Sequence, residues 1–330
     1  MTDFRAFRIR QDDAGYHAGI ETMSIDALSP GEVLVRVEWS SVNYKDALAG
    51  TGKGKILRQF PLNGGIDVAG TVVASTDPAF KEGDKVLATG SGLSETRDGG
   101  YSEYVRLPAA WTVALPRTLT TREAMIIGTA GFTAALALLR MTENRQTPAL
   151  GPIAITGATG GVGMLGIDIF SGAGYEVHAI SGKPERFEFL RRIGAAQCLD
   201  RHELAFSGKP MESARYGGLL DNVGGATLAG FLPSIAPYGN AAICGLAGSP
   251  ALSTTVMPFI IRGVSVLGIA SAGTARDVRD EVWKRLAGAW KPRHLDVICT
   301  REIALHEVAS VFETMLAGGS FGRTVVRIAG

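Results

Sequence analysis

The chain is poor in the residues that staple or metallate a fold. Only three cysteines, Cys198, Cys244 and Cys299, stand among its 330 residues. They form no Cys-x-x-Cys pair and no Cys/His cluster, so no structural zinc is expected. Two of the three end apolar runs and read as core strand residues. Few and scattered thiols suit a reducing compartment, and a cytoplasmic location is expected. The five histidines, His17, His178, His202, His294 and His306, are dispersed, none in a motif with a serine or cysteine nucleophile, which leaves hydrolase chemistry without support. An excess of one charge is also missing. With 33 Lys+Arg against 32 Asp+Glu, the net charge is +1, so no electrostatic case exists for nucleic acid. The first ten residues are charged and carry no apolar signal core. The longest uncharged run, Gln146–Ile167, is broken by proline and glycine, so no membrane helix is expected. No fixed internal period is found.

Glycine, by contrast, is abundant. It accounts for 43 of 330 residues, near twice its usual share of ~7%, which favours many tight strand–helix joints. One stretch organises the rest: Ile153–Gly163, Ile-Ala-Ile-Thr-Gly-Ala-Thr-Gly-Gly-Val-Gly. Its first residues read as a short buried strand, a glycine-rich turn follows, and apolar residues at helical spacing continue to Phe170. Strand, glycine turn and helix are the context of a dinucleotide-binding fingerprint, in which the backbone approaches a pyrophosphate and the helix N-terminus supplies N–H groups. Two frames fit, Gly161-x-Gly163-x-x-Gly166 and Ala158-x-Gly160-x-x-Gly163. The second begins where the strand ends and is preferred.

The length suggests two domains. Residues 1–115 are β-rich: Val33–Val37, Gly70–Ala74, Lys85–Thr89 and Tyr101–Leu107 are short β-forming runs separated by turn residues, a small barrel-like β domain. Near Leu119 the pattern changes. Thr120-x-x-Glu123 is a capping box ahead of helices at Ala124–Ile127 and Phe132–Leu139, interrupted at Gly128-Thr-Ala-Gly131. Strand–helix alternation follows, with strands at Ile153–Thr156, Glu176–Ser181, Ala196–Leu199, Leu219–Val223, Asn240–Cys244 and Val264–Ile269. This is an α/β pattern, a doubly wound parallel sheet. A helix at Asp277–Trp290, a second at Val308–Leu316 and strands at Ile303–Leu305 and Thr324–Ile328 close the chain.

The order of these segments resembles the medium-chain dehydrogenase/reductase superfamily. The resemblance rests on Ser41-Val-Asn-Tyr-Lys-Asp46, Gly65-Ile-Asp-Val-Ala-Gly70, Gly99-Gly-Tyr-Ser-Glu103, Thr156–Gly163, Asp221-Asn-Val-Gly-Gly225 and Gly322-Arg-Thr-Val325, in the expected order along nearly the whole chain. The zinc alcohol dehydrogenase branch carries a Cys where Val42-Asn43 stands and a His-Glu pair where Ile66-Asp67 stands. Both are missing here, as is that branch's four-cysteine lobe, so the chain is similar to the zinc-free quinone oxidoreductase-like branch. Asn43-Tyr-Lys-Asp-Ala47, Thr51-Gly-Lys-Gly-Lys-Ile56, Phe60-Pro61, Met125–Thr133 and Thr254–Ile260 are similar to its acrylyl-CoA reductase (NADPH) subgroup. Asn63-Gly64, where Pro-Gly is usual, departs from that pattern in a turn. The resemblance implies a discontinuous GroES-like β-barrel domain of residues 1–120 and 295–330, a Rossmann NADPH-binding domain of residues 121–294, no metal, and a homodimer paired through Val264–Ile269.

The residues make parallel statements about chemistry. An NAD site wants Asp or Glu after the second strand. Here that strand ends Ser181-Gly-Lys183, with Arg186 beyond, and a hydroxyl with cations suits a 2′-phosphate, which points to NADPH. Glu176 opens the strand instead of ending it. A solvated helix start is the alternative for Lys183 and Arg186. By resemblance, Tyr44, Thr159, Gly160, Gly161, Val162, Ser181, Gly182, Lys183, Arg201, Leu246, Ile260 and Ser271 contact the cofactor, although Ile260 also reads as plain core packing. Asn43 and Tyr44 occupy the family's catalytic position. Reduction of an α,β-unsaturated thioester develops charge on the thioester oxygen and needs a proton at the α-carbon. The Tyr44 hydroxyl suits either task and the Asn43 amide suits holding the acyl group; delivery of the proton by water is an equal alternative. Asp46 reads as a structural hydrogen-bonder. Lys53, Lys55, Arg58 and Arg323 are candidates for recognising the phosphates of an acyl-CoA substrate, against the alternative of a solvated basic loop. Three functions fit: acrylyl-CoA reduction, quinone reduction on the same scaffold, and NADPH binding without turnover.

Overall fold

The structure, a computed structural model, describes residues 3–13 and 15–328. The chain forms two compact units. The first comprises Met1–Thr129, Ala272–Ala287 and Cys299–Gly330; the second comprises Ala130–Ser271 and Gly288–Ile298.

The first unit is built on β-sheet. Its organising strand, Val33–Ser41, pairs antiparallel with Asp67–Ser75, with Tyr104–Leu107 and with Arg323–Arg327. Lys85–Thr89 continues the sheet from Asp67–Ser75, and Cys299–Ala304 lies parallel to Arg323–Arg327. Val33, Val35 and Val37 are each fully buried, the period-2 face of a strand packed on one side. They join Phe7, Tyr101 and Phe312 in one core. A hairpin of Asp3–Asp12 and Gly15–Ser24 precedes this sheet. The charged N-terminal residues are thus a strand, with Phe4, Ala6, Phe7 and Ile9 buried between arginines.

The helix Thr121–Glu143 starts on the expected capping box. The Glu123 main-chain N–H donates to Thr120 Oγ1 at 3.1 Å, and Thr120 N–H donates back to Glu123 Oε2 at 2.8 Å. The interruption expected at Gly128 is present: Gly128, at φ 48° and ψ −157°, leaves helical geometry and kinks the span between two helical segments. This helix is long and apolar enough to cross a membrane, but 89% of its apolar window is buried inside the fold, so it is a core helix.

The second unit holds a six-stranded sheet in the order Gln197–Asp200, Val177–Ser181, Ile153–Thr156, Tyr216–Asp221, Ile235–Ile243, Ser265–Gly268. All neighbours are parallel, so the chain winds out from the Ile153 strand in one direction and then in the other. Every residue of Ile153–Thr156 is buried, as a central parallel strand covered on both faces requires. The strand order reverses beside this strand, and in open sheets of this kind the ligand crevice lies at the carboxyl ends at that point. After Val177–Ser181 come a 3-10 turn, Pro184–Arg186, and the short helix Phe187–Arg192. The cysteines correct the expectation of core burial: all three are free and only half-buried, Cys198 because it lies on the edge strand and Cys244 because it follows the end of its own. Burial still pushes the Cys244 thiol up to about 12.

Candidate active site

In the second unit the Ile153 strand ends in a turn whose tight corner is Gly157, at φ +60°. Gly160 N–H donates to Gly157 O at 3.0 Å, and Gly160 is the N-cap of the helix Gly161–Gly172. A Cβ on Gly163 would lie 2.4 Å from Gly157 O and 2.7 Å from Ala158 Cα, so only glycine lets the helix start pack against the turn. The preferred frame covers this turn, but the turn's corner glycine lies one residue earlier, at Gly157. The first N–H groups of a helix have no partner inside it; here they belong to Gly161 and Val162, and such groups suit an anion.

The next strand delivers Ser181, buried, whose Oγ accepts the Lys183 N–H at 3.2 Å and lies 3.4 Å from Thr159 Oγ1. Arg201 packs over Gly182: a Cβ there would meet Arg201 Nε at 2.4 Å. Arg201 N–H also donates to Ser181 O at 3.0 Å. Partial burial pulls the Lys183 ammonium below its usual range, and the nearby Arg186 and Arg201 charges act in the same direction. Asp200, opposite Ser181 in register, turns its carboxylate onto the His202 N–H at 2.9 Å. Glu176 pairs with His178 at 2.8 Å, before the strand begins. Ser181, Gly182, Lys183 and Arg201 thus converge beside Thr159, and the residues present fit a phosphorylated dinucleotide.

Leu246 is 64% exposed on the loop after Ile235–Ile243. That loop is tied to Asn222 and Val223: Ala247 N–H donates to Asn222 O, and Gly248 N–H to Val223 O at 2.8 Å. Asn222 in turn packs on Gly157 and donates from Nδ2 to Thr156 O at 2.7 Å. Asn222 and Asp221, whose carboxylate accepts Thr156 Oγ1–H and Gly224 N–H at 2.7 Å each, are the supports that residue-by-residue reasoning missed, although both lie in the quoted motif Asp221–Gly225. Ile260 is 76% exposed on the helix Met257–Arg262, which excludes plain core packing. Ser271 opens a 3-10 turn after the last strand of the sheet. A cavity of 210 Å³ beside Leu246 is lined by Gly224, Leu228 and Pro250 and does not include the glycine turn.

In the first unit, Tyr44 is the first residue of the helix Tyr44–Thr51 and is half exposed. Beneath it lies a buried polar cluster. Asp67, with no exposed surface, accepts Ser41 Oγ–H at 2.6 Å, Asn43 Nδ2–H at 2.9 Å, Thr129 N–H at 2.9 Å and Thr129 Oγ1–H at 2.5 Å. Arg323 donates to Ser41 Oγ at 2.8 Å, Asn43 Oδ1 at 3.0 Å, Val42 O at 3.2 Å, and the Ile126 and Met125 carbonyls. Gly128 closes over the cluster: a Cβ would lie 2.5 Å from Asp67 Oδ2 and 2.8 Å from Arg323 Nη2. A side chain at position 128 would not fit against this cluster. Asp46 is buried, accepts the Asn43 and Ile66 N–H groups at 2.9 Å each, and is pushed up to about 7 by burial and by the charge of Asp67.

Two expectations are corrected here. Arg323 is 3% exposed and its guanidinium donors are spent on internal acceptors, so it does not reach a CoA phosphate. The Asn43 amide donates to Asp67, with further contacts to Asp46 and Ser41, and its carbonyl accepts from Arg323; it supports the site instead of holding an acyl group. Lys53, Lys55 and Arg58 do lie exposed on one loop, where Lys53 pairs with Glu313 at 2.6 Å. Where the zinc branch has its ligands, Asn43 and Asp67 bond to each other, and no cluster of three His, Cys, Asp or Glu side chains fit to hold a metal occurs among the described residues.

Residues 29–117 match the alcohol dehydrogenase GroES-like domain and residues 161–288 match the zinc-binding dehydrogenase domain. The Escherichia coli protein named "Probable acrylyl-CoA reductase AcuI" is 43% identical over 324 residues, covering 98% of this chain and 99% of its own. The Bacillus subtilis protein named "Putative quinone oxidoreductase YhfP" is 42% identical over 319 residues, 96% of either chain; its crystal structure with NAD bound covers 99% of this chain and all of its own with a TM-score of 0.96. The E. coli YhdH structure with bound NADPH matches at 41% identity and a TM-score of 0.93, over 98% of this chain and all of that one.

Proposed function

The chain belongs to the medium-chain dehydrogenase/reductase superfamily, and from that premise we propose that it uses NADPH to reduce the carbon–carbon double bond of acrylyl-CoA, giving propionyl-CoA. The observation that carries the reading is a half-exposed Tyr44 mounted on a buried, hydrogen-bonded support, in a chain aligned end to end with a relative named for that activity.

Thr159, Gly160, Gly161 and Val162 hold the pyrophosphate, and Ser181, Gly182, Lys183 and Arg201 hold the 2′-phosphate. Leu246, with Ile260 and Ser271, meets the nicotinamide half. The cofactor, when bound, supplies a hydride to the β-carbon. The residues of this chain then have two tasks. One is to stabilise the negative charge that develops on the thioester oxygen, which a preorganised donor does best. The other is to deliver a proton to the α-carbon. The Tyr44 hydroxyl suits both, and the balance is enoyl-CoA, NADPH and one proton in, acyl-CoA and NADP⁺ out. Lys53, Lys55 and Arg58 supply cations for the CoA phosphates. NADPH deuterated at the transferred position should give propionyl-CoA labelled at the β-carbon, read by NMR; an unlabelled product would overturn the reading.

The second reading is quinone reduction, favoured by the name and identity of the B. subtilis relative. It requires no α-proton, so Tyr44 separates the two. Tyr44→Phe should lower kcat for the thioester roughly 10²-fold, the low end of general acid catalysis, and leave the NADPH Kd nearly unchanged. Unchanged turnover would assign the proton to water.

The second unit also carries a face suited to a second copy of the chain. Ser265–Gly268 is an edge strand whose outer backbone groups are unpaired in the sheet. Val266, Ile260, Ile261 and Tyr238 are exposed in the same unit, from 40% to 76%. Light scattering at micromolar concentration should give twice the 34.7 kDa chain mass; a monomer would reject the pairing.

A further inference from the structure

Asn222 stands where two loops of the second unit meet. It follows the strand Tyr216–Asp221, between the glycine turn after Ile153–Thr156 and the loop after Ile235–Ile243 that carries Leu246. Its polar groups divide evenly between the two. Both donors go to Thr156, the residue before the corner of the turn: the main-chain N–H to Thr156 Oγ1 at 2.9 Å, and Nδ2–H to Thr156 O at 2.7 Å. Both acceptors face the loop: the main-chain O takes the Ala247 N–H at 3.3 Å, and Oδ1 lies 3.1 Å from the Cys244 thiol. The orientation of the amide follows from its partner, since Thr156 O can only accept. Packing repeats the division. A Cβ on Gly157 would lie 3.2 Å from Asn222 Cβ, and a Cβ on Gly245 would lie 2.4 Å from Asn222 O.

The main-chain bonds are open to any residue but proline. The side-chain bonds are not, and one amide spans the two loops. Its bond to Thr156 O is the stronger end, because a thiol is a weak donor and that of Cys244 also lies 3.3 Å from Asp221 O. The loop hangs on the same short segment throughout. Cys244 and Gly245 N–H donate to Asp221 O, and Gly248 and Ser249 N–H donate to Val223 O. Leu246, Ala247 and Gly248 are exposed, so little else holds them.

We propose that Asn222 is a positioning residue for hydride transfer: its amide fastens the loop bearing Leu246 to the strand end bearing the glycine turn, and so fixes the nicotinamide half of the cofactor relative to the pyrophosphate.

The proposal rests on the reading of Leu246 as the nicotinamide contact and of NADPH as the hydride donor to acrylyl-CoA. On that reading a loosened loop leaves the phosphate end of the cofactor bound and displaces the ring. Loss of one hydrogen bond weakens binding roughly tenfold, whereas a misplacement of about 1 Å at the reacting atoms slows the chemistry on the order of 10²-fold.

Asn222→Ala removes the amide and keeps the main-chain bonds, and three readouts follow from it. In the cofactor-free protein, hydrogen exchange at Ala247 and Gly248 should quicken about tenfold, with the helix Gly161–Gly172 unchanged. NADPH and NADH should both bind roughly tenfold more weakly, while 2′-phospho-ADP-ribose, which lacks the nicotinamide, should bind within about twofold of its wild-type Kd. Oxidation of bound NADPH by acrylyl-CoA in a single turnover should slow about 10²-fold. Asn222→Asp keeps an oxygen toward Cys244 and loses the donor to Thr156 O, so it should not restore the rate. Equal weakening of NADPH and of 2′-phospho-ADP-ribose would overturn the proposal, because Asn222 would then shape only the glycine turn. Unchanged exchange and an unchanged single-turnover rate in Asn222→Ala would also overturn it. A wild-type protein that binds NADPH and does not oxidise it with acrylyl-CoA would overturn the reductase reading; exchange and the comparison of the two ligands would still decide the role of Asn222.

Discussion

Arg323→Met is expected to destabilise the protein by about 3–5 kcal/mol, the cost of removing one partner from a buried ionic group. The Arg323 guanidinium is 3% exposed and donates to five acceptors: Ser41 Oγ, Asn43 Oδ1 and the Val42, Ile126 and Met125 carbonyls. Methionine fills similar volume and replaces none of them. Asp67 loses its neighbouring cation, and the carbonyls near the Gly128 kink lose their donor. Burial itself pulls the Arg323 pKa below its usual range, opposed by Asp67 and Asp46; those two acids are therefore what keep a charge tolerable at this place. Chemical denaturation should show the loss as a lower midpoint at constant slope. A shift of less than about 1 kcal/mol would mean that Arg323 is a passive filler. Lys is not expected to rescue it, because a point charge cannot serve acceptors on several sides.

The second large effect concerns the cofactor. Lys183→Ala combined with Arg201→Ala should weaken NADPH binding about 100-fold and leave NADH within about threefold, as expected for charge-assisted bonds to one phosphate on a partly exposed surface. Lys183 is half-buried and Arg201 packs on Gly182; the pair sits beside Ser181, whose Oγ is already held by the Lys183 N–H. The discrimination should shrink as salt is raised, because the contacts are screened. Equal weakening of both cofactors in a titration would show that the 2′-phosphate is not read here.

Much of this was legible in the chain. Two second-unit strands follow the period and turn signals closely: Ile153–Thr156 is as expected and Val177–Ser181 differs from expectation by one residue, because buried parallel strands are continuous apolar runs bounded by glycine; Tyr216–Asp221 and Ile235–Ile243 begin before the expected Leu219 and Asn240. The capping box at Thr120 and Glu123 was visible because its chemistry is local. The hairpin Asp3–Ser24 was not, since three arginines in its first strand mask the apolar alternation, and only Arg8 among them is buried, paired with Asp98 and Asn63. Nor was the fate of Arg323 legible. Its partners Ser41, Asn43, Met125 and Ile126 lie about 200 to 280 residues away in sequence, and no local pattern distinguishes an arginine that meets substrate from one that holds a core together. For the same reason Asn43 read as a substrate contact: the sequence places it beside Tyr44, but only the fold brings Asp67 and Arg323 to its amide.

The most direct test of the central claim is the rate of NADPH oxidation by the intact protein with acrylyl-CoA and with a small quinone, run side by side. The account predicts a far higher kcat/KM for acrylyl-CoA, with propionyl-CoA formed in proportion to NADPH consumed. A higher kcat/KM for the quinone, or NADPH consumed without propionyl-CoA, would contradict it.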